Sequence, residues 1–142
     1  MSNFQDVDRS KLIKAALAIL PNSYAPYSKF NVAAAALFDD GEIFTGVNIE
    51  NASYPAGICA ERNAIFHAVA EGHKRIRAIA VVGGANGIVS DYCSPCGICR
   101  QVMREFCDPK EMLVIMGKTS SDYIEKTLEE MLPLSFGPDN LK

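Results

Sequence analysis

"NVAAAALFDDGEIFTGVNIE", Asn31 to Glu50, is the stretch on which the fold turns. Its four consecutive alanines favour helix by propensity alone. Against that, Asp39, Asp40 and Gly41 make a turn signal, and Ile43, Thr45 and Val47 alternate with Phe44 and Gly46 behind it. Two strands joined by a hairpin are therefore expected.

Upstream of the hairpin, "KLIKAALAIL" carries Leu12, Ile13, Ala16, Leu17 and Leu20 on one helical face, with Ser10 as the expected cap. Pro21 ends that helix, and "PNSYAPYSKF" reads as loop. Downstream, a helix is expected over 59–71, where Gly72 stops it. "IRAIAVVGG" and "EMLVIMG" are short unbroken apolar runs, as suits strands buried on both faces. Between them "SPCGICRQVMREFC" reads as a helix capped by Ser94, with Pro95 in the first turn and Cys99, Val102, Met103 and Phe106 inward. "TLEEMLP" makes one more short helix. Helices alternating with strands in this order predict an α/β/α sandwich of three layers with a mixed sheet, one domain over residues 1–142.

The bulk numbers narrow the function. Apolar residues make up 49%, the formal charge is −3 and the pI is near 5.4, so nothing argues electrostatically for a nucleic-acid partner. The short basic run "HKRIR", His73 to Arg77, reads as a solvated helix end. No apolar segment reaches the ~20 residues of a membrane span. "MSNFQDVDRSK" lacks the pattern of an export signal, so the expected location is the reducing cytoplasm. Five cysteines there are better read as metal ligands, a nucleophile or core fillers than as disulfides.

"DYCSPCGICRQ" spaces Cys93, Cys96 and Cys99 at intervals of three. Cys96 and Cys99 at the start of a helix present both sulfurs on one side, where the positive end of the helix favours thiolate. Cys59, at the start of an earlier helix, has the same advantage. Four protein ligands would make a structural zinc site; three would keep a position open for chemistry. "CAER" places Glu61 two residues beyond Cys59, and "SPCGIC" places Pro95 directly before the other pair. That is the pattern of zinc nucleobase deaminases in an all-cysteine version.

With "YAPYSKF", "TGVNIENASYPAGICAERNA", "SPCGICRQ" and "EMLPLSFGP" in order along nearly the whole chain, the sequence resembles the small homotetrameric cytidine deaminases. The resemblance implies one Zn²⁺ per subunit on Cys59, Cys96 and Cys99, with Cys93 left out and solvent as fourth ligand. It implies hydrolysis of cytidine and 2′-deoxycytidine by zinc-bound hydroxide, in pyrimidine salvage. Glu61 would take the proton of the attacking water, protonate N3 of cytosine, and then protonate the leaving amino group. Arg62 would offset the charge of three thiolates, as the family's arginine does by hydrogen-bonding to cysteine ligands.

Asn48 and Glu50, two apart after a strand, would point the same way and suit a ribose; in the family this pair binds the 3′-hydroxyl. Phe30 resembles the aromatic that lies along the pyrimidine, and Phe136 one that reaches into a neighbouring subunit's site. The Ala60 N–H and Ser94 carbonyl would meet the base's O2 and amino group. Cys107, about two turns along its helix, is expected in the core. The chain departs from the family pattern at Gly57 and Ile58 before the ligand and in the additional thiol of Cys93, beside the site and open to oxidation. The competing readings are a non-enzymatic Cys₄ zinc module closed by Cys93, a deaminase of bases within RNA or DNA, and a deaminase of a nucleotide or of guanine. "VGGANG" follows a strand but lacks the P-loop lysine.

Overall fold

In the computed structural model, which describes residues 4–142, the alanine run is strand. It forms most of β1 (Phe30–Phe38), which pairs antiparallel with β2 (Ile43–Val47) in the register Ala35↔Thr45 and Ala36↔Phe44. Burial overrides propensity here. Ala33 and Ala35 lie in the core on one face of the sheet, Ala34 and Ala36 in the core on the other, and all four are fully buried. A strand covered on both faces needs small side chains wherever a helix comes close.

Five strands make the sheet, in the order β2-β1-β3-β4-β5, with β3 at Ile76–Ala85, β4 at Leu113–Thr119 and β5 at Asp122–Thr127. β3 and β4 are parallel and the other pairs antiparallel, so the sheet is mixed. Helix α1 (Arg9–Ile19) covers one face, where Leu12, Ile13 and Ala16 meet Ala33, Ala35, Ala78, Ala80 and Ile115. Helices α2 (Ala60–Ala70) and α3 (Gly97–Glu105), with the single turn α4 (Leu128–Met131), cover the other. There Ala64, Ile65, Met103 and Leu128 meet Ala36, Phe38, Ile79, Val81 and Val114. This is the expected three-layer sandwich. β2, β3 and β4 run the same way, so their carboxyl ends share one edge, and α2 and α3 both begin there. In open α/β sheets that edge is where ligands bind.

Some expectations need correction. β5 was not anticipated, because "DYIEKT" is a polar edge strand whose charges protect an exposed edge and hide the apolar alternation. Asp8, not Ser10, caps α1, accepting from the Lys11 N–H at 3.0 Å. The cap of α3 is Cys96, not Ser94, because Ser94 and Pro95 belong to the loop before it. The basic run His73–Arg77 is not a helix end; it leads into β3. There His73 contacts Asp40 at 2.8 Å and Arg77 pairs with Asp6 at 2.9 Å. Met1 to Asn3, the start of the segment read for an export signal, lie outside the described residues.

One close approach ties the hairpin to the site. A Cβ on Gly46 of β2 would lie 2.5 Å from the Ala64 nitrogen and 2.7 Å from the Ala60 carbonyl oxygen, both backbone atoms of α2. Gly46→Ala must therefore push α2, with Cys59 and Glu61 at its start, off the sheet. The expected result is a loss of about 1–3 kcal/mol by denaturant titration, with weaker zinc retention.

Candidate active site

Cys59 and Cys96 occupy the N-cap positions of α2 and α3, and neither side chain caps its own helix. N-cap and third helical residue face each other across the first turn. In α3 that puts the Cys96 sulfur 3.5 Å from the Cys99 sulfur. In α2 it puts Arg62 Nη2 3.4 Å from Cys59 Sγ. Two helix starts thus deliver three sulfurs and one guanidinium to one spot, where the Cys59 and Cys96 sulfurs are 3.9 Å apart and all three lie within 4.8 Å of one another.

The trio fits zinc. Three sulfurs each ~2.3 Å from one tetrahedral ion lie ~3.8 Å apart, which matches the 3.5 and 3.9 Å here. Its electrostatics also suit a cation. Hydrogen bonds from the Cys99 thiol and from Arg62 bring the Cys59 thiol down to about 5. The proton given to that bond, together with burial, drives Cys99 upward. The same sulfurs, Cys59 foremost, raise Arg62 beyond its ordinary value. Arg62 Nε is buried without a hydrogen-bond partner, the only such side-chain nitrogen or oxygen among the described residues.

Glu61, in the first turn of α2, is only 4% exposed. Burial, reinforced by the charge of Cys59, raises its carboxyl to about 7. A carboxyl near neutrality beside a metal site can both take and return a proton at physiological pH.

Cys59, Cys96, Glu61 and Arg62 line a cavity of about 490 Å³, while Cys99 is fully buried. Phe30, Asn48, Glu50, Ala60 and the loop residue Ser94 line it beside Glu61, Cys59 and Cys96, so most of the expected site residues are brought together. Ala60 is the first residue of α2, where backbone N–H groups lack partners within the helix. Phe136 is apart: it is 58% exposed, so it is not core, and it does not line this cavity. Its carbonyl accepts from Gln101 Nε2 at 2.9 Å.

Cys93 also lines the cavity but does not join the sulfur cluster. Its sulfur packs over Gly83, where a Cβ would come within 3.1 Å of it. Burial, with the nearby charges of Glu61 and Cys59, raises its thiol to about 11. A half-buried thiol that stays outside the sulfur cluster speaks against a four-cysteine rivet. Cys107 is buried in the core beyond α3, as expected.

Sequence reasoning missed Ser23, Ser28, Tyr27 and Tyr54. The last three line the cavity, and Ser23 bonds the side chain of Asn48. Only the loop composition hinted at the two serines.

Comparison with known proteins gives one consistent picture. Residues 6–116 match the family model described as the cytidine and deoxycytidylate deaminase zinc-binding region. The chain is 44% identical over 135 residues to a cytidine deaminase of Halalkalibacterium halodurans, covering 95% of this chain and 98% of that protein. It is 38% identical over 136 residues to one from Mycobacterium tuberculosis, covering 96% and 95%. Among solved structures, cytidine deaminase from Burkholderia pseudomallei superposes with a TM-score of 0.79 at 42% identity, covering 89% of this chain and 97% of that one.

Proposed function

The chain belongs to the zinc-binding cytidine and deoxycytidylate deaminase family, and from that premise we propose how its residues carry the reaction. It is a zinc-dependent hydrolase that deaminates cytidine. Our reading adds 2′-deoxycytidine as substrate, pyrimidine salvage as context, and residues 1–142 as one catalytic domain. The observation that carries it is the trio of sulfurs on two helix starts, with a buried carboxyl beside them on a cavity floor.

Cys59, Cys96 and Cys99 would hold the ion. When bound, zinc supplies the Lewis acidity that makes water a nucleophile near neutral pH. Glu61 takes one proton from the attacking water and gives it to N3 of the ring. It then passes the second to the amino group, which leaves C4 as ammonia. One C–O bond forms and one C–N bond breaks. The Ala60 N–H faces the base's O2 and the Ser94 carbonyl its amino group, while Phe30 lies along the ring and Asn48 and Glu50 meet the sugar. Arg62 is the single basic side chain among the described residues lining the cavity, and thiolate engages it. That favours an uncharged nucleoside over a nucleotide.

Arg62 offsets the charge of the thiolates. Arg62→Ala should leave the fold intact and weaken zinc binding roughly 10–100-fold, the usual effect of losing an outer-shell partner, as read by competition with a chromogenic chelator. Unchanged zinc affinity and kcat would remove Arg62 from the site.

A homotetramer is part of the same proposal. Arg100 donates to the Met131 carbonyl at 2.6 Å and Arg104 to Ser135 Oγ at 2.9 Å, pinning the C-terminal segment to α3. That segment holds Leu134 fully exposed in a left-handed conformation (φ 55°) and turns Phe136 outward. Exposed apolar side chains on a tethered segment suit contact with a neighbouring subunit. A nucleic-acid partner is disfavoured by the net charge of −3, and no helix is long and apolar enough to cross a membrane. We place the enzyme in the cytoplasm. Loss of cytidine absorbance with release of ammonia, measured on zinc-loaded protein, tests the reading; inert protein with stoichiometric zinc would overturn it.

A further inference from the structure

Almost every hydrogen-bonding valence of Asn48 and Glu50 is already taken within the chain. Asn48 Oδ1 accepts from the Val32 N–H at 2.9 Å and from the Ser23 hydroxyl, while Nδ2 donates to the Phe30 carbonyl at 2.9 Å. A backbone donor at one end and a backbone acceptor at the other fix which way the amide faces. Asn31 Nδ2 donates to Ser23 Oγ at 3.0 Å, which leaves the Ser23 hydrogen for Asn48. Both lone pairs of the amide oxygen are engaged, and one N–H remains.

Glu50 is held the same way. Its Oε1 accepts from the Tyr27 and Ser28 N–H groups at 3.0 and 3.1 Å, and its Oε2 accepts from the Ser28 hydroxyl. The Phe30 N–H donates to Ser28 Oγ at 3.0 Å, turning the hydroxyl hydrogen toward the carboxylate. The Ser28 hydroxyl first, then the Ser28 and Tyr27 N–H groups, hold this carboxyl below its usual range. One lone pair, on Oε2, remains.

We infer that Ser23 and Ser28 are positioning residues that reduce the sugar subsite to one donor and one acceptor, so that it reads a single hydroxyl as acceptor and donor at once. The inference rests on the reading that Asn48 and Glu50 meet the nucleoside sugar. A hydroxyl that accepts from Asn48 Nδ2 and donates to Glu50 Oε2 satisfies both remaining valences. Hydrogen in its place leaves both unmet, and fluorine sets a second acceptor against the carboxylate. Removing the Ser28 hydroxyl frees a second lone pair on Oε2, so the subsite no longer demands one hydroxyl in one place.

The test is steady-state kinetics of zinc-loaded enzyme on cytidine, 3′-deoxycytidine and 3′-fluoro-3′-deoxycytidine, using wild type, Ser23→Ala, Ser28→Ala, Ser28→Thr and Glu50→Gln. Wild type should prefer cytidine by roughly 10²-fold in kcat/KM, the order expected when a polar pair is left unmatched. Ser28→Ala and Ser23→Ala should each cut that preference about ten-fold through KM, with kcat held within about two-fold; Ser28→Thr should restore it. If both alanine variants keep the wild-type preference while Glu50→Gln abolishes it, the serines do not position the pair. A uniform loss on all three substrates, with a lowered melting temperature, would likewise reduce them to structural residues. If Glu50→Gln itself keeps the preference, the sugar reading fails instead.

Discussion

Glu61→Gln should yield a protein that folds, retains zinc and turns over cytidine roughly 10²–10⁴-fold more slowly, the range attributed to a positioned general acid–base group. The amide keeps the shape of the carboxylate and loses only its ability to carry a proton. Because Glu61 is almost fully buried, its charge is poorly solvated in the fold, so the neutral variant should melt no lower than the wild type. A fall in kcat with zinc content and melting temperature preserved isolates proton transfer from folding and from metal binding. Substantial residual turnover would remove Glu61 from the chemistry, and the burial of a carboxyl on the cavity floor would then need another reason.

The second large effect separates three cysteines that the sequence places in one neighbourhood. Cys96→Ser and Cys99→Ser should each lose zinc and activity by more than the roughly 10–100-fold that follows loss of an outer-shell partner. Cys93→Ser should keep one zinc per subunit and near-wild-type kcat, because its sulfur packs over Gly83 and stays outside the cluster. Zinc content with activity, read on all three variants, decides the matter. Loss of zinc from Cys93→Ser would reinstate the four-sulfur site and exclude the open coordination position on which hydrolysis depends.

What could be read in the sequence were the features with short-range signatures. The Asp-Asp-Gly turn betrayed the hairpin despite the alanine run. The spacing of Cys96 and Cys99, with Glu61 two residues past Cys59, marked the metal site, because the N-cap and the third helical residue meet across one helical turn. β5 stayed hidden because an edge strand needs charge more than alternation. Ser28 and Ser23 were invisible for another reason: they act on Glu50 and Asn48 across 22 and 25 residues of chain. Nothing local distinguishes a loop serine that orients a carboxylate from one that faces solvent. Asn48 and Glu50 were identified by type, whereas the number of valences each has left required the fold.

The most direct test of the central claim is X-ray absorption at the zinc edge of the purified, loaded enzyme. The account predicts three sulfurs at about 2.3 Å and one lighter oxygen donor. Four sulfurs around the metal, or a protein that takes up no zinc at all, would contradict it.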